Sequence, residues 1–146
     1  MKAKMIYPDT AIQSMGYKIE QLDNNLNYWT YVDLTNSNTR NTENTTSDYY
    51  SLNYNISGNL CCVGVSVDMA STASSKYTDY VVASGCPIPA GGNQSPSGLL
   101  VSNDGITACC FVRGNGDLVV ASYDRNLADN HLHGNFFYFV DENYSK

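Results

Sequence analysis

Two histidines are the whole imidazole complement of this 146-residue chain, and they stand as His131-x-His133. On an extended segment residues i and i+2 point the same way, so both rings can reach one metal ion. The surrounding stretch, Asp129-Asn130-His131-Leu132-His133-Gly134, reads as a polar loop ahead of a final strand, where two exposed histidines need no metal. Asp124 and Asp129 flank the same loop, and Asp141 and Glu142 follow the last apolar run, but no Asp-x-Asp-x-Asp-Gly series of calcium ligands occurs. A serine nucleophile would have to draw on His131 or His133 for its base. No Gly-x-Ser-x-Gly elbow is present, and no two carboxylates identify themselves as the acid and base of a glycosidase. The chain therefore reads as non-catalytic, with no cofactor beyond a metal ion that His131 and His133 would hold.

The chemistry of binding is better supplied. Aromatic faces stack on the C–H surfaces of sugars while amides and carboxylates bond the hydroxyls. The chain has twelve tyrosines, set in a surface of Asn, Ser and Thr in place of Lys and Glu. Between two apolar runs, the loop from Tyr123 to Gly134 gathers Tyr123, Asp124, Arg125, Asn126, Asp129 and Asn130, which are the candidate ligand-binding residues. The Asn/Thr-rich stretch from Thr35 to Asp48 is the next candidate. With a net charge of −6 and its few Lys and Arg scattered singly, the chain has no basic stripe for a phosphate backbone, which argues against nucleic acid. No apolar stretch approaches membrane-spanning length, and the first 26 residues lack a signal-peptide core, so neither membrane insertion nor a secretion signal is expected.

The elements that must position these groups fall into two parts. Ile12, Met15, Ile19, Leu22, Leu26 and Trp29 repeat at three- and four-residue intervals, the spacing of a coiled-coil seam. Asp9 or Thr10 caps a helix from Ala11 to about Leu26. The seam is short, and Gly16 within it costs about 1 kcal/mol against Ala, so it needs help from partner chains or from the rest of the molecule. Residues 1–27 thus form a helical neck and 28–146 a β head. The head's predicted strands are Tyr28 to Leu34, Tyr49 to Ile56, Leu60 to Met69, Tyr77 to Ser84, Gly98 to Val101, Ile106 to Arg113, Asp117 to Ser122 and Asn135 to Val140. Eight short strands with turn-rich links predict an antiparallel β-sandwich, jelly-roll-like.

Two segments predict apolar side chains on both faces. In the hairpin around Gly114-Asn115-Gly116-Asp117, a two-residue Asn-Gly loop would set Val112 opposite Val119 and Phe111 opposite Val120. In the last strand Phe136, Tyr138 and Val140 alternate with Phe137 and Phe139. A second apolar face needs cover, and with a neck that gathers like chains the expected cover is another subunit. Cys61-Cys62, Cys86 and Cys109-Cys110 are odd in number, and neighbours on a strand face opposite ways, so they predict free, mostly buried thiols and neither a disulfide framework nor a metal clamp. Reduced thiols suit folding in a cytosol.

A neck followed by such a head resembles the C-terminal head of a bacteriophage tail fibre or receptor-binding protein. The resemblance spans roughly Tyr28 to Glu142. It lies in Tyr54-x-Ile56-x-Gly58, in Tyr77-x-x-Tyr80-Val81-Val82 leading to Cys86-Pro87-x-Pro89, in Gly116-x-Leu118-Val119-Val120 and in Phe136-Phe137-Tyr138-Phe139. It implies a homotrimer, made in the bacterial cytoplasm and carried on the virion, which attaches to a host cell-surface saccharide or protein. The expected trimer interface is the seam Ile12, Met15, Ile19, Leu22 and Leu26 together with Phe137 and Phe139. Three His131-x-His133 pairs around its axis would offer six nitrogens to one transition-metal ion. A monomeric bacterial surface or secreted carbohydrate-binding module, and a purely structural trimerisation domain, are the alternatives.

Overall fold

The computed structural model describes residues 29–35, 39–46 and 51–141. The predicted neck, its seam residues Ile12, Met15, Ile19, Leu22 and Leu26, and the boundary between neck and head lie outside the described residues.

Alternation dictates the fold. In Leu60–Asp68 the side chains of Cys61, Val63, Val65 and Val67 are buried while Cys62, Gly64, Ser66 and Asp68 stay half-buried on the other face. A strand with one apolar face must curl its sheet around that face. Eight strands do so: β1 (Thr30–Asp33), β2 (Ser51–Ser57), β3 (Leu60–Asp68), β4 (Thr78–Ala83), β5 (Gly98–Ser102), β6 (Thr107–Val112), β7 (Leu118–Ser122) and β8 (His131–Phe139). They form one antiparallel sheet in the order β1-β2-β3-β8-β5-β6-β7-β4. Among the described residues there is no helix.

The sheet has two four-stranded halves. They meet where β5 pairs with β8 at only Val101↔His133 and Ser102↔Leu132. Both halves feed a single core, from Leu52, Val63, Val67 and Phe136 on one side to Tyr80, Leu100, Val112 and Leu118 on the other. Residues 39–46 strap the free edge of β4 to the end of β3. Asn41 N–H donates to Val82 O and Ser84 N–H to Thr39 O, while Thr46 N–H donates to Asp68 O. The strap supplies partners that an open edge strand would lack.

Two sequence expectations are corrected. The hairpin pairs Phe111 with Val119 and Cys110 with Val120, one residue away from the predicted register. The loop is three residues long: Arg113 N–H bonds Asp117 O, Gly116 N–H bonds Arg113 O, and Gly116 takes φ +86°. This is a turn closed by a left-handed glycine, and it outcompetes the two-residue Asn-Gly turn. The one-residue shift decides which side chains face out. Phe111, Val119 and Ala121 form a second, small apolar cluster on the opposite face, buried within the single chain with Val81 and Cys109 packed against it. This face of the hairpin therefore does not need the second subunit expected from the sequence. Cys110, Val112, Leu118 and Val120 enter the main core.

The second correction concerns the stretch read as a polar loop. Its last four residues, His131 to Gly134, are the start of β8, which pairs with β3 over nine consecutive positions from Asp68↔His131 to Leu60↔Phe139, while Asp129 and Asn130 stay in the loop. Leu132 is fully buried between its two histidines, so His-Leu-His is an alternating strand. Gly134 belongs to it because β5 crosses closely there: a Cβ would lie 2.5 Å from Leu99 O.

Candidate functional site

The loop from Tyr123 to Asn130 closes one end of the curled sheet and is pinned from beneath. Leu127 is fully buried, Leu127 N–H donates to Ala73 O, and Met69 exchanges backbone hydrogen bonds with Asp129 and Asn130. Two of the predicted ligand residues are spent within the loop: Asn126 Oδ1 accepts from Ala128 N–H at 2.8 Å and Asn130 Nδ2 donates to Ala128 O at 2.8 Å. Asp129 adopts φ +59° and helps turn the chain into β8. Tyr123, Asp124 and Arg125 remain solvent-facing, with Arg125 Nε 4.0 Å from Asp124 Oδ1.

Tyr123 has a companion that sequence reasoning missed. Tyr77 N–H donates to Tyr123 O at 3.1 Å, one step beyond the Thr78↔Ser122 pair of β4 and β7. The two tyrosines are therefore cross-strand neighbours, and 79% and 58% of their surfaces are exposed. Tyr77 also holds φ +53°, a left-handed conformation uncommon for a bulky residue. The Tyr123 hydroxyl lies against the Cys109 thiol. Coulombic interaction with that thiol, and then their hydrogen bond, push the phenol above its usual ionisation range.

On the same outer face Arg113 reaches Asp79 at 2.8 Å. Arg113 follows β6 at the hairpin turn, and Asp79 lies opposite Ala121. The ion pair therefore spans the Phe111–Val119–Val81 row, and the aliphatic stem of Arg113 lies over it. Beyond this row is a shallow groove of about 470 Å³ between the strap and β4, lined by Arg40, Asn41, Thr42, Glu43, Ser84 and Asp117 among others. Five of its lining residues, Thr39 to Glu43, belong to the Thr35–Asp48 stretch. The face of β4, β7 and β6 thus carries two exposed aromatic rings, an ion pair and a polar groove. It offers stacking surface and hydrogen-bonding groups to a hydroxylated ligand.

The face of β3 and β8 carries the titratable cluster. His131 stands opposite Asp68 and His133 opposite Ser66, and the two rings share one side with centroids 5.9 Å apart, as i, i+2 spacing on a strand predicts. His131 Nδ1 lies 2.7 Å from Asp68 Oδ1 and its Nε2 lies 3.2 Å from Ser66 Oγ. Both ring nitrogens are thus engaged, and a metal ion would have to displace Ser66 or Asp68. No group of three or more His, Cys, Asp or Glu with metal-binding geometry occurs among the described residues. The juxtaposition of Ser66 with His131 was not foreseen; its one signal is Ser66-x-Asp68 on the polar face of an alternating strand.

Farther along the same half the surface turns apolar. Phe137 and Phe139 are 55% and 62% exposed, although Phe136 before them and Tyr138 between them are buried. Across the sheet run the rows Tyr31, Asn55, Cys62, Phe137 and Ser57, Leu60, Phe139. Tyr31 is exposed, as is Leu99 on neighbouring β5. All five cysteines are free, with Cys61, Cys86 and Cys110 buried and Cys62 and Cys109 half-buried. Burial pushes the Cys61 thiol up to about 11, with Coulombic interaction with Cys62 adding and a hydrogen bond from Tyr138 opposing. Burial raises Cys62, Cys86 and Cys110 as well.

The chain matches no protein-family model and no curated protein.

Proposed function

We propose that the chain is a receptor-binding head of the bacteriophage tail-fibre type: a jelly-roll-like sandwich that assembles as a homotrimer on the virion and attaches to a host cell-surface saccharide or protein. The observation that carries the reading is the double apolarity of β8, whose Phe136 and Tyr138 fill the core while Phe137 and Phe139 stand more than half exposed on the outside. Exposed aromatic side chains on β1 and β8, in adjacent rows across the sheet, are costly to leave in water and are suited to burial against copies of the same chain. The opposite half keeps Tyr77, Tyr123 and the polar groove for recognition. There the head binds its ligand and does not turn it over.

Light scattering coupled to gel filtration tests the assembly, and binding of the labelled chain to candidate bacterial cells or glycan arrays tests the recognition. A trimer that binds through Tyr77 and Tyr123 supports the proposal, while a trimer without cell or glycan binding returns the chain to a structural role. The exposed tyrosine pair also favours a second reading, a carbohydrate-binding module, for which the same experiments find a glycan-binding monomer.

A further inference from the structure

We propose that Ser66 is a nucleophile activated by His131 and Asp68, and that the outer face of β3 and β8 accepts small activated esters as acyl donors. The inference is independent of the recognition reading, which uses the face of β4, β7 and β6. The relay shares the outer face of β8 with Phe137 and Phe139 but sits at the other end of the strand, where His131 opposes Asp68 while Phe139 opposes Leu60. An ionised carboxylate only accepts hydrogen bonds, so the 2.7 Å contact of Asp68 Oδ1 is with an Nδ1–H of His131. In the neutral ring Nε2 is then the acceptor, and it lies 3.2 Å from Ser66 Oγ. Nucleophile, base and orienting carboxylate thus stand in the order and within the reach that serine activation requires.

Rigid elements hold the three groups. β3 lies between β2 and β8, and β8 between β3 and β5, so neither strand is at an edge. Ser66 and Asp68 are two residues apart on one face of β3, and His131 meets Asp68 as its direct cross-strand partner. The side chains of His131 and Asp68 are 32% and 20% exposed, which leaves the relay reachable from solvent yet partly shielded.

With an ester, Ser66 Oγ bonds to the carbonyl carbon and its proton passes to His131 Nε2. The C–O bond to the alcohol breaks, and that alcohol leaves with the proton. Water then attacks the acyl-serine, gives one proton to His131 Nε2 and releases the acid as Ser66 Oγ recovers that proton. The backbone N–H groups of β3 are committed to its two ladders, so the stabiliser of the developing oxyanion is a side chain. His133, directly across from Ser66, is the one placed to provide it. The relay therefore supplies the part of catalysis owed to a general base, about 10²–10⁴-fold.

The test is covalent labelling of the full chain with a fluorophosphonate, in which Ser66 Oγ bonds to phosphorus, fluoride leaves and the proton goes to His131 Nε2. Peptide mapping is expected to find the adduct on Ser66 at a rate about 100-fold above that of the exposed Ser51 on neighbouring β2. Ser66→Ala should abolish the adduct. His131→Ala and His131→Gln should each slow it about 100-fold, with added imidazole restoring the rate in the alanine variant. Labelling of Ser66 no faster than Ser51 in the wild-type chain overturns the proposal whatever the variants do, as does an unchanged rate in a folded His131→Gln variant.

Discussion

Neighbouring phenylalanines on β8 should respond in opposite ways to truncation, because alternation assigns them to different environments. Phe136 is 6% exposed, and its loss to Ala should cost about 3–5 kcal/mol of folding stability. Phe137 and Phe139 are 55% and 62% exposed, so the double change Phe137→Ser with Phe139→Ser should shift the unfolding of the dilute, dissociated chain by no more than about 1 kcal/mol. With ~200 Å² per phenylalanine side chain, those exposures leave roughly 230 Å² per protomer for a partner to cover. At ~25 cal/mol per Å² this is about 6 kcal/mol per protomer before the costs of association. Even half of it changes an assembly constant by about two orders of magnitude.

Light scattering during gel filtration across the micromolar range should therefore show three chain masses for the wild type and one for the double variant. Urea unfolding at two protein concentrations should show a concentration-dependent midpoint for the wild type alone. A wild-type chain that runs as a monomer throughout refutes the association argument. A double variant that loses as much monomer stability as Phe136→Ala refutes the assignment of faces.

Native alkylation should modify the half-buried Cys62 and Cys109 first and reach Cys61, Cys86 and Cys110 only on unfolding, which mass spectrometry of the modified peptides checks. The Cys61 thiol ionises at about 11 in the folded chain against 9.0 for a free thiol, so the unfolded state releases its proton first. Stability is then complete below about pH 9 and declines as pH rises through 11, measurable as a falling urea midpoint; a flat midpoint over that window contradicts the burial. Tyr77→Gly removes an exposed ring where φ is +53° and glycine is unstrained. Combined with Tyr123→Ala it should weaken glycan binding roughly tenfold and leave the melting temperature no lower than that of Tyr123→Ala alone. Arg113→Ala should cost more stability than Arg113→Met, because the exposed ion pair contributes at most about 1 kcal/mol and the stem over Val119 does the rest; equal losses in calorimetry would place the whole effect in the charge.

Period-two alternation made most of the fold legible. β2, β3 and β4 lie within two residues of their predicted limits because each has one apolar face; β2 and β4 also run into Ser and Gly at their ends. Both corrections arise where two local readings were available. Asn115-Gly116 can serve a two-residue or a three-residue loop, and the choice rests on the Arg113–Asp117 and Gly116–Arg113 hydrogen bonds, which no single residue announces. The segment Asp129 to Gly134 is polar enough for a loop. Its one buried side chain, Leu132, earns that position only because β3 extends as far as Asp68 and offers a partner for every residue of β8.

The functional groups were less legible for the same physical reason. A strand's own spacing reveals which residues share its face, so His131 and His133 were placed on one side correctly. Which neighbour each will meet depends on the register between segments far apart in the chain. Ser66 and Asp68 reach His131 across 65 and 63 residues, and Tyr77 meets Tyr123 because β4 pairs with β7 and not with β3 or β5. A one-residue slip between β3 and β8 would turn His131 toward the core and Leu132 outward. The buried Leu132 and the pairing of Asp68 with His131 are therefore consequences of one choice of register. Core packing makes that choice: Val63, Val65 and Val67 must face inward together with Leu132 and Phe136. The polar relay on the outside is thus positioned by the apolar residues on the inside.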